Sequence, residues 1–153
     1  MTQVYVSSIL FAIGEEAGWR GVLLPALLDK KRPFTASILL GAIWSVWHLP
    51  ILYFSVFDSI VQFASFLAGY VPVLLIWSFI FTWVYERTDR NIWIVTLLHG
   101  SFTATYQIFE PILGRIGAFG VLLPLCSGLL FVCCLLISGR SYWFGKPAYS
   151  KKD

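Results

Sequence analysis

The chain has 153 residues, 58% of them hydrophobic and 12% charged, with a net charge of +3. Soluble domains carry about 25% charged residues, so this composition, with a mean hydropathy of +0.78, excludes a soluble globular enzyme and reads as an integral membrane protein. The three cysteines, an odd number, argue against a disulfide framework.

The first predicted span covers about residues 2–28, and Glu15, Glu16 and Arg20 interrupt its apolar run. Each such side chain costs about 2.5–3.5 kcal/mol at the centre of a bilayer on insertion scales, and an intramembrane acid is functional by default. In a helix Glu16 and Arg20 stand at i,i+4 and can pair. Glu15 is rotated by about 100° and is expected to have no partner of its own in this segment. Pro25 is expected to kink the span or free a carbonyl. A polar turn, Asp29 to Arg32, ends it.

Pro33 opens the second span, 33–57, where Trp44 and His48 share a face at i,i+4. Trp44 reads as a packing wall. A turn at Phe57-Asp58-Ser59 leads to the third span, 59–85, whose residues of note are Gln62, Gly69, Tyr70 and Pro72 and which reads as scaffold. The fourth span, 91–110, sets His99 and Thr103 at i,i+4, and Gly100 allows a neighbouring helix to approach closely. Glu110-Pro111 and glycines 114, 117 and 120 are expected to form an outer turn. The fifth span, 117–138, carries Cys126, Cys133 and Cys134 with no His or acid nearby, so packing is their expected role.

The prediction is therefore an all-α integral membrane protein. About five transmembrane helices form a single domain over residues 1–139, followed by a cytoplasmic tail over 140–153. That tail mixes aromatics with lysines in the manner of an interfacial anchor. The N-terminus lacks the basic flank of a signal peptide, and neither end reads as a lipidation signal.

Lys30, Lys31, Arg32, Arg87, Arg90, Arg140, Lys146, Lys151 and Lys152 fall on one side of this topology, and only Arg115 on the other. The positive-inside rule then places the C-terminus in the cytoplasm. These basic residues are topology and lipid-headgroup contacts, so the net charge is no sign of nucleic acid. At ~1.5 Å per residue, Glu15 lies ~21 Å from Asp29, His48 ~22 Å from Pro33 and His99 ~12 Å from Asn91. In a core of about 30 Å these depths predict one polar cluster near the midplane.

Three motifs follow in order: Glu15-Glu16-x-x-x-Arg20, Trp44-x-x-x-His48 and His99-x-x-x-Thr103. Together they resemble the CAAX prenyl protease and bacteriocin-processing family of intramembrane proteases, called CPBP or Abi, over roughly Gly14 to Thr103. The resemblance implies a CAAX-protease-like helical bundle around a polar cavity open towards the cytosol. It implies a catalytic set of Glu15, Glu16, Arg20, His48, His99 and Thr103. In that scheme Glu15 and His48 hold and activate a water, Glu16 and Arg20 brace the site, and His99 with Thr103 forms an oxyanion hole. Thr103 stands where the family's last motif usually has Asn.

A carboxylate in a dry pocket is a stronger base, and a donor aimed at the developing oxyanion is worth about 2.7–4 kcal/mol. A Glu-His-His set of Glu15, His48 and His99 could instead bind Zn²⁺ and activate the water through the metal. The reading preferred from sequence is metal-free.

The function expected is an intramembrane endopeptidase cutting peptide bonds near the cytosolic membrane face. The alternative is a non-catalytic protein of the same fold acting by contacts, in bacteriocin self-immunity or as a scaffold. Thr103 and the lack of spans before the double glutamate favour that alternative; the five intact charged and imidazole side chains favour the peptidase. A proton-coupled carrier is a third class, disfavoured because no repeated halves are evident. Expected partners are a peptide or membrane-protein substrate and membrane lipid; either the chain is a minimal core, or a homo-oligomer or partner membrane protein completes the cavity wall. The expected location is a bacterial plasma membrane.

Overall fold

Backbone in lipid must satisfy its own hydrogen bonds, which leaves an apolar chain of this length with helices or a closed barrel. The computed structural model describes residues 2–56, 59–117 and 123–145, and every regular element among them is a helix. Helix α1 spans Thr2–Gly18, a π-helical turn spans Trp19–Leu23, and α2 spans Leu24–Leu28. Then come α3 (Pro33–Val56), α4 (Ile60–Arg87), α5 (Ile92–Gly117), α6 (Leu123–Ser138) and α7 (Arg140–Phe144). Two stretches, Pro33–Tyr53 and Ile60–Arg87, are long and apolar enough to cross a membrane by length and composition. Glu15, Glu16 and Arg20 on the first helical segment, and a run of Ser, Thr, His and Gln on α5, dilute the other long segments.

Local chemistry explains the boundaries. Pro25 has no N–H to give Gly21, and the chain answers with the π turn, in which the Leu24 N–H reaches back to the Trp19 carbonyl. Ser59 caps α4 by accepting from the Gln62 N–H at 3.3 Å. After α4, Asp89 (φ 51°) and Arg90 (φ 61°) adopt left-handed backbone. Asn91 Oδ1 then accepts from the N–H groups of Trp93 at 3.0 Å and Ile94 at 3.4 Å to start α5. Contrary to expectation, α5 does not turn at Glu110-Pro111 but runs on to Gly117. A proline removes only its own N–H, and a membrane helix tolerates that loss. The expected turn residues Phe57 and Asp58, Gly120, and the tail from 146 lie outside the described residues.

Small residues set the packing. At Gly100 an added Cβ would meet the Ile9 Cα at 2.8 Å, so α5 and α1 run in near backbone contact, as the sequence predicts. At Gly41 the Leu75 Cα would lie 3.2 Å away, and the Ser78 hydroxyl donates to the Ser37 carbonyl at 2.9 Å across the same α3–α4 seam. This is the small-residue packing that joins helices where no hydrophobic drive exists between them. Trp77 on α4 donates to Ser127 on α6 at 2.8 Å.

Helix α4 is thus central, touching α3, α5 and α6, while α1 rests mainly on α5. Between α1 and α3 side chains, rather than close packing, bridge the gap. Of the cysteines only Cys134 is buried, with Phe79 and Trp143; Cys126 and Cys133 are exposed on the face of α6 turned away from the bundle. The packing role expected for all three holds for one.

Candidate active site

Adjacent residues on a helix point about 100° apart, and the two glutamates divide accordingly. Glu16 points into the bundle and is fully buried, as is Arg20. Its Oε1 accepts from Arg20 Nη1 at 2.9 Å and from His99 Nδ1 at 2.8 Å. A carboxylate only accepts, so His99 carries its proton on Nδ1, and Nε2 is left for another partner. The Arg20 guanidinium also lies 5.0 Å from the Phe81 ring centroid and 5.6 Å from that of Trp44, close enough for cation–π attraction.

Glu15 turns toward the gap between α1 and α3. Its Oε2 accepts from Trp44 Nε1 at 2.7 Å and from Trp19 Nε1 at 3.3 Å. The expectation that Glu15 lacks a partner in its own segment is therefore wrong: Trp19 stands at i+4 from it, the same spacing that pairs Glu16 with Arg20. Trp44 is also more than a wall, since its indole N–H binds the carboxylate.

The remaining oxygen, Oε1, faces His48 Nε2 at 3.6 Å. That is too long for a hydrogen bond. His48 Nδ1 lies 2.9 Å from the Trp44 carbonyl, and since a carbonyl can only accept, Nδ1 carries the proton. In the neutral imidazole with that tautomer, Oε1 and Nε2 are two acceptors facing each other across a narrow gap. A water set off the line between them can donate one hydrogen to each.

Glu15, Glu16, Arg20, His48 and His99 do come together in one cluster. Trp44 is its hub, with ring centroids 5.2 Å from His99 and 5.9 Å from His48. Thr103 lies one turn beyond His99, half-buried, with no hydrogen bond of its hydroxyl among the described residues. Helix α4 contributes more than scaffold: Tyr70 stands edge-on to His48 at 5.9 Å, and Phe81 lies 5.5 Å from His99. Neither residue is charged, and no sequence spacing ties α4 to α3 or α5, so hydropathy carried no signal for them.

Among the described residues no three His, Cys, Asp or Glu side chains converge to hold a metal ion. Glu15 and His48 face one another, whereas His99 is turned onto Glu16. These residues therefore do not fit the three-ligand Zn²⁺ set. A groove of about 450 Å³ opens beside Glu15, lined by Leu10, Phe11, Gly14, Gly18 and Trp19 from the α1 side and by Trp47 from α3.

A CAAX prenyl protease 2 of Methanococcus maripaludis is 29% identical over 98 residues, which are 60% of this chain and 35% of that protein. The chain thus spans about a third of the length of the curated relative it matches. No solved structure matches it. The family described as Type II CAAX prenyl endopeptidase Rce1-like matches residues 1–105, well over half of the chain. With its all-helical membrane fold, the chain belongs to the Type II CAAX prenyl endopeptidase Rce1-like family.

Proposed function

We propose that this protein is a membrane-embedded CAAX-type endopeptidase that hydrolyses a peptide bond with a water activated by Glu15. The observation that carries this reading is the facing pair of acceptors, Glu15 Oε1 and His48 Nε2, 3.6 Å apart beside an open groove. Glu15 takes a proton from the water as the water oxygen bonds to the scissile carbonyl carbon. The carbonyl oxygen becomes an oxyanion, met by His99 Nε2–H and by the Thr103 hydroxyl. For Nε2 to donate while Nδ1 donates to Glu16, the ring must carry both protons, and Glu16 supplies the negative charge beside it. The C–N bond then breaks as the proton held by Glu15 passes to the leaving amine.

The reaction so drawn needs no metal, which agrees with the turn of His99 away from Glu15 and His48. Incubation with a strong chelator should leave turnover unchanged, and restoration of lost activity by added Zn²⁺ would overturn this part of the reading. The substrate class is a prenylated CAAX tail, by analogy with the CAAX prenyl protease 2 of Methanococcus maripaludis. The cytoplasmic siting of the C-terminus, with cleavage near that face, rests on the distribution of basic residues.

The test compares new peptide termini in membranes of cells making the wild-type chain or Glu15→Gln, which keeps the size and removes the base. Loss of a defined set of cleavages at equal protein level supports the peptidase, and the cut sites name its substrates. Identical profiles would sink it in favour of a non-catalytic role through contacts, in bacteriocin self-immunity or as a scaffold.

A further inference from the structure

We infer that Trp44, assisted by Trp19, is a positioning residue that selects which oxygen of Glu15 meets the water; this rests on the reading of Glu15 as the base. The last torsion of a glutamate is broad and roughly two-fold, so a carboxylate held at one point turns freely about it. Here both indole N–H groups converge on the same oxygen, Oε2, at 2.7 and 3.3 Å. The shorter contact lies in the range of charge-assisted hydrogen bonds. Oε1 is left to face His48.

Trp44 also orients the second member of the pair. Its own carbonyl accepts from His48 Nδ1 at 2.9 Å, which keeps the Nε2 lone pair toward Glu15. One residue thus sets the rotation of the carboxylate through its side chain and the tautomer of the imidazole through its backbone. The indole is itself packed on every side. It is 1% exposed and lies against the rings of Phe81 and His99 at 6.0 and 5.2 Å, with the Arg20 guanidinium 5.6 Å away. A phenylalanine would keep an aromatic ring in this space, at a smaller volume, and offer no N–H.

Trp19 connects the same carboxylate to the groove. It meets Trp47 edge-on at 6.1 Å, and both indoles line the opening. Its longer hydrogen bond makes it the lesser of the two anchors.

The test uses the full chain in lipid nanodiscs, with an internally quenched peptide ending in a prenylated CAAX sequence. Trp44→Phe should lower kcat by about 10- to 100-fold with KM changed by less than about 2-fold, the mark of lost orientation rather than lost binding. Trp19→Phe should lower kcat less. Wild-type kcat in Trp44→Phe, with Glu15→Gln inactive, overturns the positioning role and leaves the base in place. Undiminished turnover in Glu15→Gln overturns both.

A second measurement needs no change at Trp44 and no substrate. The protein has seven tryptophans, and in ¹⁵N-tryptophan spectra the indole proton resonances of Trp44 and Trp19 should move upfield in Glu15→Gln while the other five stay. If neither moves, the indoles do not hold the carboxylate and the inference fails.

Discussion

Two neighbouring carboxylates in one helix have opposite surroundings. Glu16 is sealed: buried completely and bonded to Arg20 and His99, which themselves lie against the rings of Trp44 and Phe81. Glu15 is open, with one oxygen anchored by two indoles and the other facing an imidazole across a gap beside a groove. The difference follows from the 100° between successive helical residues. One faces α5 and the bundle interior; the other faces the seam between α1 and α3. The sealed carboxylate holds the architecture and the open one is available for chemistry, so substitutions at the two should fail in different ways.

The largest effect should come at the open site. Glu15→Gln should lower turnover by about 10²- to 10⁴-fold, the usual worth of a general base, at an unchanged melting temperature. A large loss of thermal stability instead would mean that Glu15 is structural and that the contrast with Glu16 is false. At the sealed site, Arg20→Met removes the guanidinium partner of a buried carboxylate and leaves it only His99, and breaking such a buried pair costs about 3–5 kcal/mol. Chemical or thermal unfolding in detergent should register this loss, and a stable Arg20→Met protein would remove the distinction drawn here.

A smaller change sharpens the comparison by moving the two glutamates together. Gly100→Ala would set a Cβ 2.8 Å from the Ile9 Cα, forcing α1 away from α5 at a cost of about 1–3 kcal/mol. Because Glu16 meets His99 across that seam, turnover should fall along with stability. Loss of one without the other would show that the seam does not set the site.

The smallest effect lies far from both. Tyr142 on α7 donates to Glu86 Oε2 at 2.9 Å, and burial, then the Glu86 carboxylate, push its phenol above the usual range. The group's folded pKa exceeds its unfolded value, so its contribution is full below about pH 10 and is lost as pH rises toward the folded value. Tyr142→Phe should cost about 1 kcal/mol of stability and leave turnover unchanged. A catalytic defect in that variant would tie α7 to the site.

Much of this was legible along the chain. The membrane character, the Glu16–Arg20 pair and the close approach at Gly100 rest on composition or on spacings of a few residues, which the helix itself converts into geometry. Trp19 belonged to the same class, since it stands at i+4 from Glu15, but an indole was not read as a donor. The end of α5 was not legible, because Pro111 breaks helices in water more readily than in lipid.

What the sequence by itself determined is therefore the helices, their medium and the residues each helix displays on one face, because these depend on neighbours within a turn or two. The tertiary structure alone decided that Trp44 binds Glu15 across 29 residues and that His99 binds Glu16 across 83. It alone brought Tyr70 and Phe81 to the histidines and left α1 and α3 parted by a groove. Those outcomes depend on which helices become neighbours. In lipid, where every outer face is equally apolar, that choice is made by small residues and buried hydrogen bonds rather than by hydropathy.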